Sequence, residues 1–192
     1  MIIGVTGGIG AGKSVVSRLL REMGYPVYDC DYEAKQLMDA SLELHREIAE
    51  TLGEDCLLDT GALCRPNIAK RVFADSEARK WLNSRVHAMV RTDLTRWIEA
   101  HRESPLIFVE SAIMKTSGLD RMMDRVWIVD APETLRILRA SSRDGANPGE
   151  IMARMETQRE ELENLSAPVG IIENDEDSLL IPQILNQIKE LC

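Results

Sequence analysis

Gly7, Gly12, Lys13 and Ser14 stand in the spacing G-x-x-x-x-G-K-S, inside the stretch GVTGGIGAGKSVVSRLL that runs from Gly4 to Leu20. Glycine inside regular structure is costly, so a cluster this dense points to work that only a bare backbone can do. A glycine-rich turn folds its N–H groups around phosphates, at a helix N-terminus whose dipole favours negative charge. In this pattern Lys13 reaches the terminal phosphates and the Ser14 hydroxyl ligates magnesium. The expected contacts with a nucleoside triphosphate are Gly8, Gly10, Ala11, Gly12, Lys13, Ser14 and Val15. A dinucleotide fingerprint fails, because Gly8-x-Gly10 would need a glycine where Lys13 stands. The bland alternative is a glycine-rich strand-to-helix turn with no ligand.

Two carboxylates follow. Asp29 and Asp31 end the apolar run YPVYDCD, expected as a strand over Tyr25–Asp31. Ligands bind at the carboxyl ends of strands in open α/β sheets, and residues two apart in a strand face the same way. Both carboxylates are therefore expected to point toward the phosphate loop, and one can take the proton of an attacking hydroxyl. The alternative is that one of them caps the following helix. Further on, Arg139, Arg143 and Arg154 lie on a segment interrupted by Gly145, Pro148 and Gly149. Arginines on a hinged helical segment suit a lid that closes over phosphates, or else a solvated helix face.

The elements that must position these groups read as alternating strands and helices. Met1 to Thr6 is a short apolar strand, and Val15, Val16, Leu19, Leu20 and Met23 recur at helical spacing up to Gly24. Further strands are expected at Pro105–Ser111, Arg125–Pro132 and Gly170–Asn174, with a closing helix at Ile181–Leu191. Helical patterns fill 34–53, with a break near Ala40 and Ser41, then Ile68–Phe73 and Ala78–His101, while Gly61 and Pro66 mark turns. The fold class is α/β: a P-loop nucleoside-triphosphate-hydrolase-like parallel sheet with helices on both faces, a helical substrate-binding insertion over about 32–104 and a helical lid over about 139–158. We expect one domain over 1–192 carrying both insertions.

Composition narrows the class. The 192 residues are 44% hydrophobic and 29% charged, with a formal net charge of −9. That charge argues against a nucleic-acid partner, because neutralising phosphodiesters takes a basic face. It does not exclude a phosphorylated small molecule held in a local basic cleft. No signal peptide and no apolar run of membrane-spanning length is read, and Cys30, Cys56, Cys64 and Cys192 show no C-x-x-C pairing. Reduced thiols in the cytoplasm, with no zinc and no membrane, are the expectation; the oligomeric state is left open. The guanine motif N-K-x-D and the switch motif D-x-x-G are both absent, which excludes a GTPase. A small-molecule kinase remains.

TGGIGAGKS, VYDCDYEAK and GALCRPNIAKRVFADSEARKWLNSRVH together resemble the dephospho-CoA kinase family, in order and spacing over most of the chain. The resemblance implies ATP and dephospho-CoA as substrates, magnesium as cofactor, and Asp31 as the general base on the ribose 3′-hydroxyl. It implies that Lys13 and Arg143 stabilise charge on the transferred group, that Arg139 and Asn174 serve the nucleotide, and that Arg65, Lys70, Arg71 and His87 serve the acceptor. Arg143-Asp144 and the R-x-x-x-Q ending at Gln158 match the lid. The chain departs from the family pattern in four places: Thr116 replaces a glutamate, Ala88 a proline, Val15 a threonine and Gly170 an aspartate. Each of these is expected to loosen the acceptor site rather than the phosphate machinery. The alternatives are another nucleoside or nucleotide kinase, or a nucleotide-binding regulatory protein with weakened catalysis.

Overall fold

The computed structural model describes residues 1–191; Cys192, one of the expected reduced thiols, lies outside them. The chain forms two compact units, one from residues 1–29 and 100–191 and one from Cys30–Glu99.

The first unit is built on β1 (Ile2–Thr6), β2 (Val27–Asp29), β3 (Ile107–Glu110), β4 (Arg125–Asp130) and β5 (Val169–Glu173). They form one parallel sheet in the order β2-β3-β1-β4-β5. Its inner strands are almost continuously buried, as parallel strands covered by helices must be. Alternation on β1 sends Ile3 and Val5 to a core shared with Val16 and Leu20 of α1 (Lys13–Glu22) and Ile184 and Ile188 of α8 (Leu180–Lys189). On the other face, at Gly4, the side chains of Met114 and Met123 close in. Phe108 and Trp127 are fully buried with ring centroids 5.2 Å apart. Truncating Trp127 to alanine would cost about 3–5 kcal/mol. Strands β2 and β3 lie on one side of β1 and β4 and β5 on the other, so the loop after β1 opens near the switch point in strand order.

The second unit is helical: α2 (Cys30–Ala40), α3 (Leu42–Leu52), α4 (Arg65–Ala74) and most of α5 (Ser76–Ala100). Its own core gathers Leu44, Ile48, Leu52, Leu63, Ile68 and Leu82. The break near Ala40 is real, and Ser41 caps α3 by accepting from the Leu44 N–H at 3.2 Å. Gly61 sits in a tight turn with φ of 80°, as expected. Pro66 does not mark a turn outside a helix. It occupies the first turn of α4, where its missing N–H costs nothing.

One expectation fails outright. Asp31 is not on a strand: β2 ends at Asp29 and α2 begins at Cys30. The alternation that would have aimed Asp29 and Asp31 the same way does not apply, and Asp31 stands instead in the first turn of α2. The remaining helices, α6 (Glu133–Asp144) and α7 (Pro148–Leu162), follow β4. Among the described residues, no helix is long and apolar enough to cross a membrane.

Candidate active site

The phosphate loop spans the gap between β1 and α1. Gly10 and Gly12 take φ of 78° and 97°, values L side chains rarely adopt, and a Cβ on Gly12 would collide with Asn174. Gly12 is the N-cap of α1 and offers no side-chain cap, and the first turn carries no acidic residue. The amides there are left for an anionic ligand. Lys13 is half-buried and its Nζ donates to the Gly7 carbonyl at 2.7 Å, curled back over the loop. Ser14 and Val15 are exposed at the helix mouth, and Ala11 is buried.

The structure brings several expected residues to this loop. Asn174 Nδ2 donates to the Ala11 carbonyl at 2.8 Å, and the Asn174 N–H donates to Asp130 at the end of β4 at 2.7 Å. Arg139 on α6 donates to the Asn174 carbonyl at 3.0 Å. Beside them a cleft of about 460 Å³ opens between Pro132, Arg136, Glu173 and Asp175.

Arg143 is turned elsewhere. It grips Asp144 through Nε at 2.7 Å and Nη2 at 3.1 Å, while Arg154 Nη1 lies 3.6 Å from the same carboxylate. The Arg143 hydrogen bonds hold the Asp144 carboxyl below its usual range. The pair sits exposed at the junction of α6 and α7.

The acceptor candidates all lie in the helical unit. Arg65 donates to Asp39 at 2.8 Å, and Arg71 donates to Asp55 at 3.2 Å. These two arginines of one helix are thus engaged with separate carboxylates. Lys70 is exposed on the same helix, His87 is half-buried on α5, and Ala88 beside it is exposed.

Two of the departures acquire a physical account. At Thr116 the buried Glu161 carboxylate of α7 accepts from the N–H groups of Lys115 and Thr116, each at 3.1 Å, and from the Thr116 hydroxyl. A carboxylate reaches this segment after all, from another element. At Gly170 a Cβ would collide with Gln187 of α8 and crowd Trp127, so the glycine makes room for helix packing. That position belongs to the β5–α8 contact, which corrects its assignment to the acceptor.

Two residues were not singled out in the sequence. Glu110 ends β3 in register with Asp29 and is 9% exposed, with Oε2 buried and unpartnered. Burial pushes its carboxyl up and Asp29 adds to this, while Ser17, Lys13 and Arg21 draw it back. The signal was present, since the apolar run PLIFVE ends in a carboxylate where a sheet meets its ligand. Arg136, on the face of α6 that also carries Arg139, donates from Nε to the Ile9 carbonyl at 3.1 Å.

The model of a family described as dephospho-CoA kinase matches residues 1–179. The chain is similar to "Dephospho-CoA kinase" of Porphyromonas gingivalis, 38% identical over 97% of this chain and 92% of that protein. Among solved structures, TT1252 from Thermus thermophilus superposes with a TM-score of 0.78 at 33% identity, covering 100% of this chain and 95% of that one. Dephospho-CoA kinase from Campylobacter jejuni gives 0.72 at 23% identity, covering 99% and 96%, a likeness of fold.

Proposed function

The chain belongs to the dephospho-CoA kinase family, and from that premise we propose how its residues carry out the ATP-dependent phosphorylation of dephospho-CoA. The observation that carries the reading is the phosphate loop on the uncapped N-terminus of α1, with Asn174 and Arg139 against its far side. Amides of Gly8 to Ser14 cradle the triphosphate, and Lys13 exchanges the Gly7 carbonyl for phosphate oxygens. Asn174 and Arg139 border the nucleotide.

The residues present fit a magnesium ion. Magnesium binds through one or two protein oxygens plus substrate phosphates, and the exposed Ser14 hydroxyl at the mouth of α1 would supply a protein oxygen. When bound there, it would neutralise charge on the phosphoryl oxygens.

Asp31 orients the 3′-hydroxyl of the acceptor and takes its proton as the oxygen bonds to the γ-phosphorus and the bond to ADP breaks. At a helix N-terminus its negative charge is favourably placed. Arg65, Lys70, Arg71 and His87 hold the acceptor in the helical unit. Arg143 leaves Asp144 to meet the developing charge, so Arg143→Ala should lower kcat more than it raises KM for ATP. A fall in ATP affinity alone would make it a ground-state contact.

Cysteines without C-x-x-C pairing and a formal net charge of −9 support a cytoplasmic enzyme of small-molecule substrates rather than a nucleic-acid or membrane protein. A coupled assay of ADP release tests the acceptor, with dephospho-CoA beside nucleosides and nucleoside monophosphates. Turnover only with the latter would overturn the acceptor assignment.

A further inference from the structure

The backbone of Ile9 is held on both sides by the two helices that follow β4. Its N–H donates to Gln158 Oε1 of α7 at 2.8 Å, and its carbonyl accepts from Arg136 Nε of α6 at 3.1 Å. The glycines on either side are seated on the same arginine. A Cβ at Gly8 would collide with the Arg136 guanidinium, and one at Gly10 would collide with the Arg136 backbone. Arg136 is itself only 14% exposed, and its nearest carboxylate, Asp130, stands 3.9 Å away. It is therefore not spent in a tight ion pair. A second cleft, of about 280 Å³, has Gly8, Arg136, Met152 and Gln158 in its wall.

A loop with φ above zero at Gly10 and Gly12 has many open alternatives, and ordering it on binding would cost affinity. Fixing the two successive peptide planes that meet at Ile9 restricts the loop on both sides of it. We propose that Arg136 and Gln158 are positioning residues that clamp the backbone of Ile9 from both sides and so preorganise the phosphate loop for nucleotide. Neither touches the transferring group; they act through Ile9. Because the loop holds the nucleotide equally before and during transfer, the clamp contributes uniform binding and shows in KM rather than kcat. Gln158 also lies on the helix that carries Arg154, so the clamp ties the lid to the loop.

This rests on nucleotide binding at the loop, and the test separates the two. ADP binding is measured by calorimetry, and ATP turnover in parallel, for wild type, Arg136→Met, Gln158→Met, the double variant and Arg136→Lys. Each methionine variant should weaken ADP and raise KM for ATP by the same factor, about three- to tenfold for one lost hydrogen bond. kcat should stay within about twofold. The double variant should lose less than the product of the single losses, since both bonds restrain the backbone of one residue. Arg136→Lys, which keeps a donor for the carbonyl, should recover part of the loss. Wild-type ADP affinity in both single variants, a loss confined to ATP, or a fall in kcat alone would each overturn the clamp. A wild-type protein that binds no ADP would instead overturn the nucleotide site beneath it. If Arg136→Met fails to fold, Gln158→Met and Arg136→Lys carry the test.

Discussion

The N-termini of α1 and α2 both open close after the carboxyl ends of strands, β1 and β2, yet the chain furnishes them in opposite ways. α1 starts at a glycine with no capping side chain and no acid in its first turn. α2 starts with Asp31 and Glu33 in its first turn. A helix N-terminus favours one negative partner. At α1 that partner is left to come from outside; at α2 the chain provides it. The difference separates a helix end left open for an anion from one whose negative charge is built in, which in the proposed function is the reacting carboxylate.

The sharpest blow to this contrast is Lys13→Ala, which removes the cation in the first position of α1. Turnover should fall by at least about 10²–10³-fold, as for other donors aimed at developing charge, with circular dichroism unchanged. Near-normal turnover would remove α1 from the chemistry. Next, Asp31→Asn keeps the shape of the α2 end but cannot accept a proton. Its kcat should drop about 10²–10⁴-fold with acceptor KM little moved. Asp29→Asn is the control, and the assignment fails if that variant stops the reaction while Asp31→Asn leaves it running. Equal, small losses in both would favour positioning over base catalysis.

A smaller effect comes from Glu110, the buried carboxylate near α1. Its folded pKa is raised, so the folded state holds the proton more tightly than the unfolded chain, and stability declines as pH rises through that window. Glu110→Gln should therefore raise Tm at neutral pH in magnesium-free buffer. The gain should vanish below the ordinary carboxylate range. An unchanged Tm at neutral pH would mean that burial there is harmless. The smallest change expected is at α3, whose N-terminus is closed by Ser41 and serves structure alone. Ser41→Ala should cost about 1 kcal/mol by chemical denaturation, with KM for ATP unaltered.

How much of this was legible follows from where the partners lie along the chain. The phosphate loop is written in adjacent residues, because only glycine accepts the φ values of Gly10 and Gly12 and the helix must begin at once. Asp31 was recognisable as chemistry but not as helix, since β2 is only Val27–Asp29 and so short an apolar run has no period to reveal its end. Pro66 misled for a related reason: a proline starts helices as readily as it stops them. Arg139 was read among the lid arginines and Asn174 came through the family likeness; the structure seats Asn174 at the loop and Arg139 on Asn174. Arg136 and Glu161 have no local signature. Their partners, Ile9 and Thr116, lie 127 and 45 residues away, and no spacing rule joins such pairs. Glu110 was the avoidable omission.

The order of the sheet also dictates when the enzyme can exist. β1 is made long before its neighbours, which are β3, where Ile2 pairs with Ile107, and β4, where Ile3 pairs with Arg125. The strand that ends in the phosphate loop has no partner until more than half of the chain has been made. Its pairing must then close a loop that contains all of Cys30–Glu99. That intervening unit has its own core of sequence-local helices and is positioned to condense first, which shortens the span left for β1 to search. The helices between β2 and β3 thus set the length of chain that β1 must span to find its first partner.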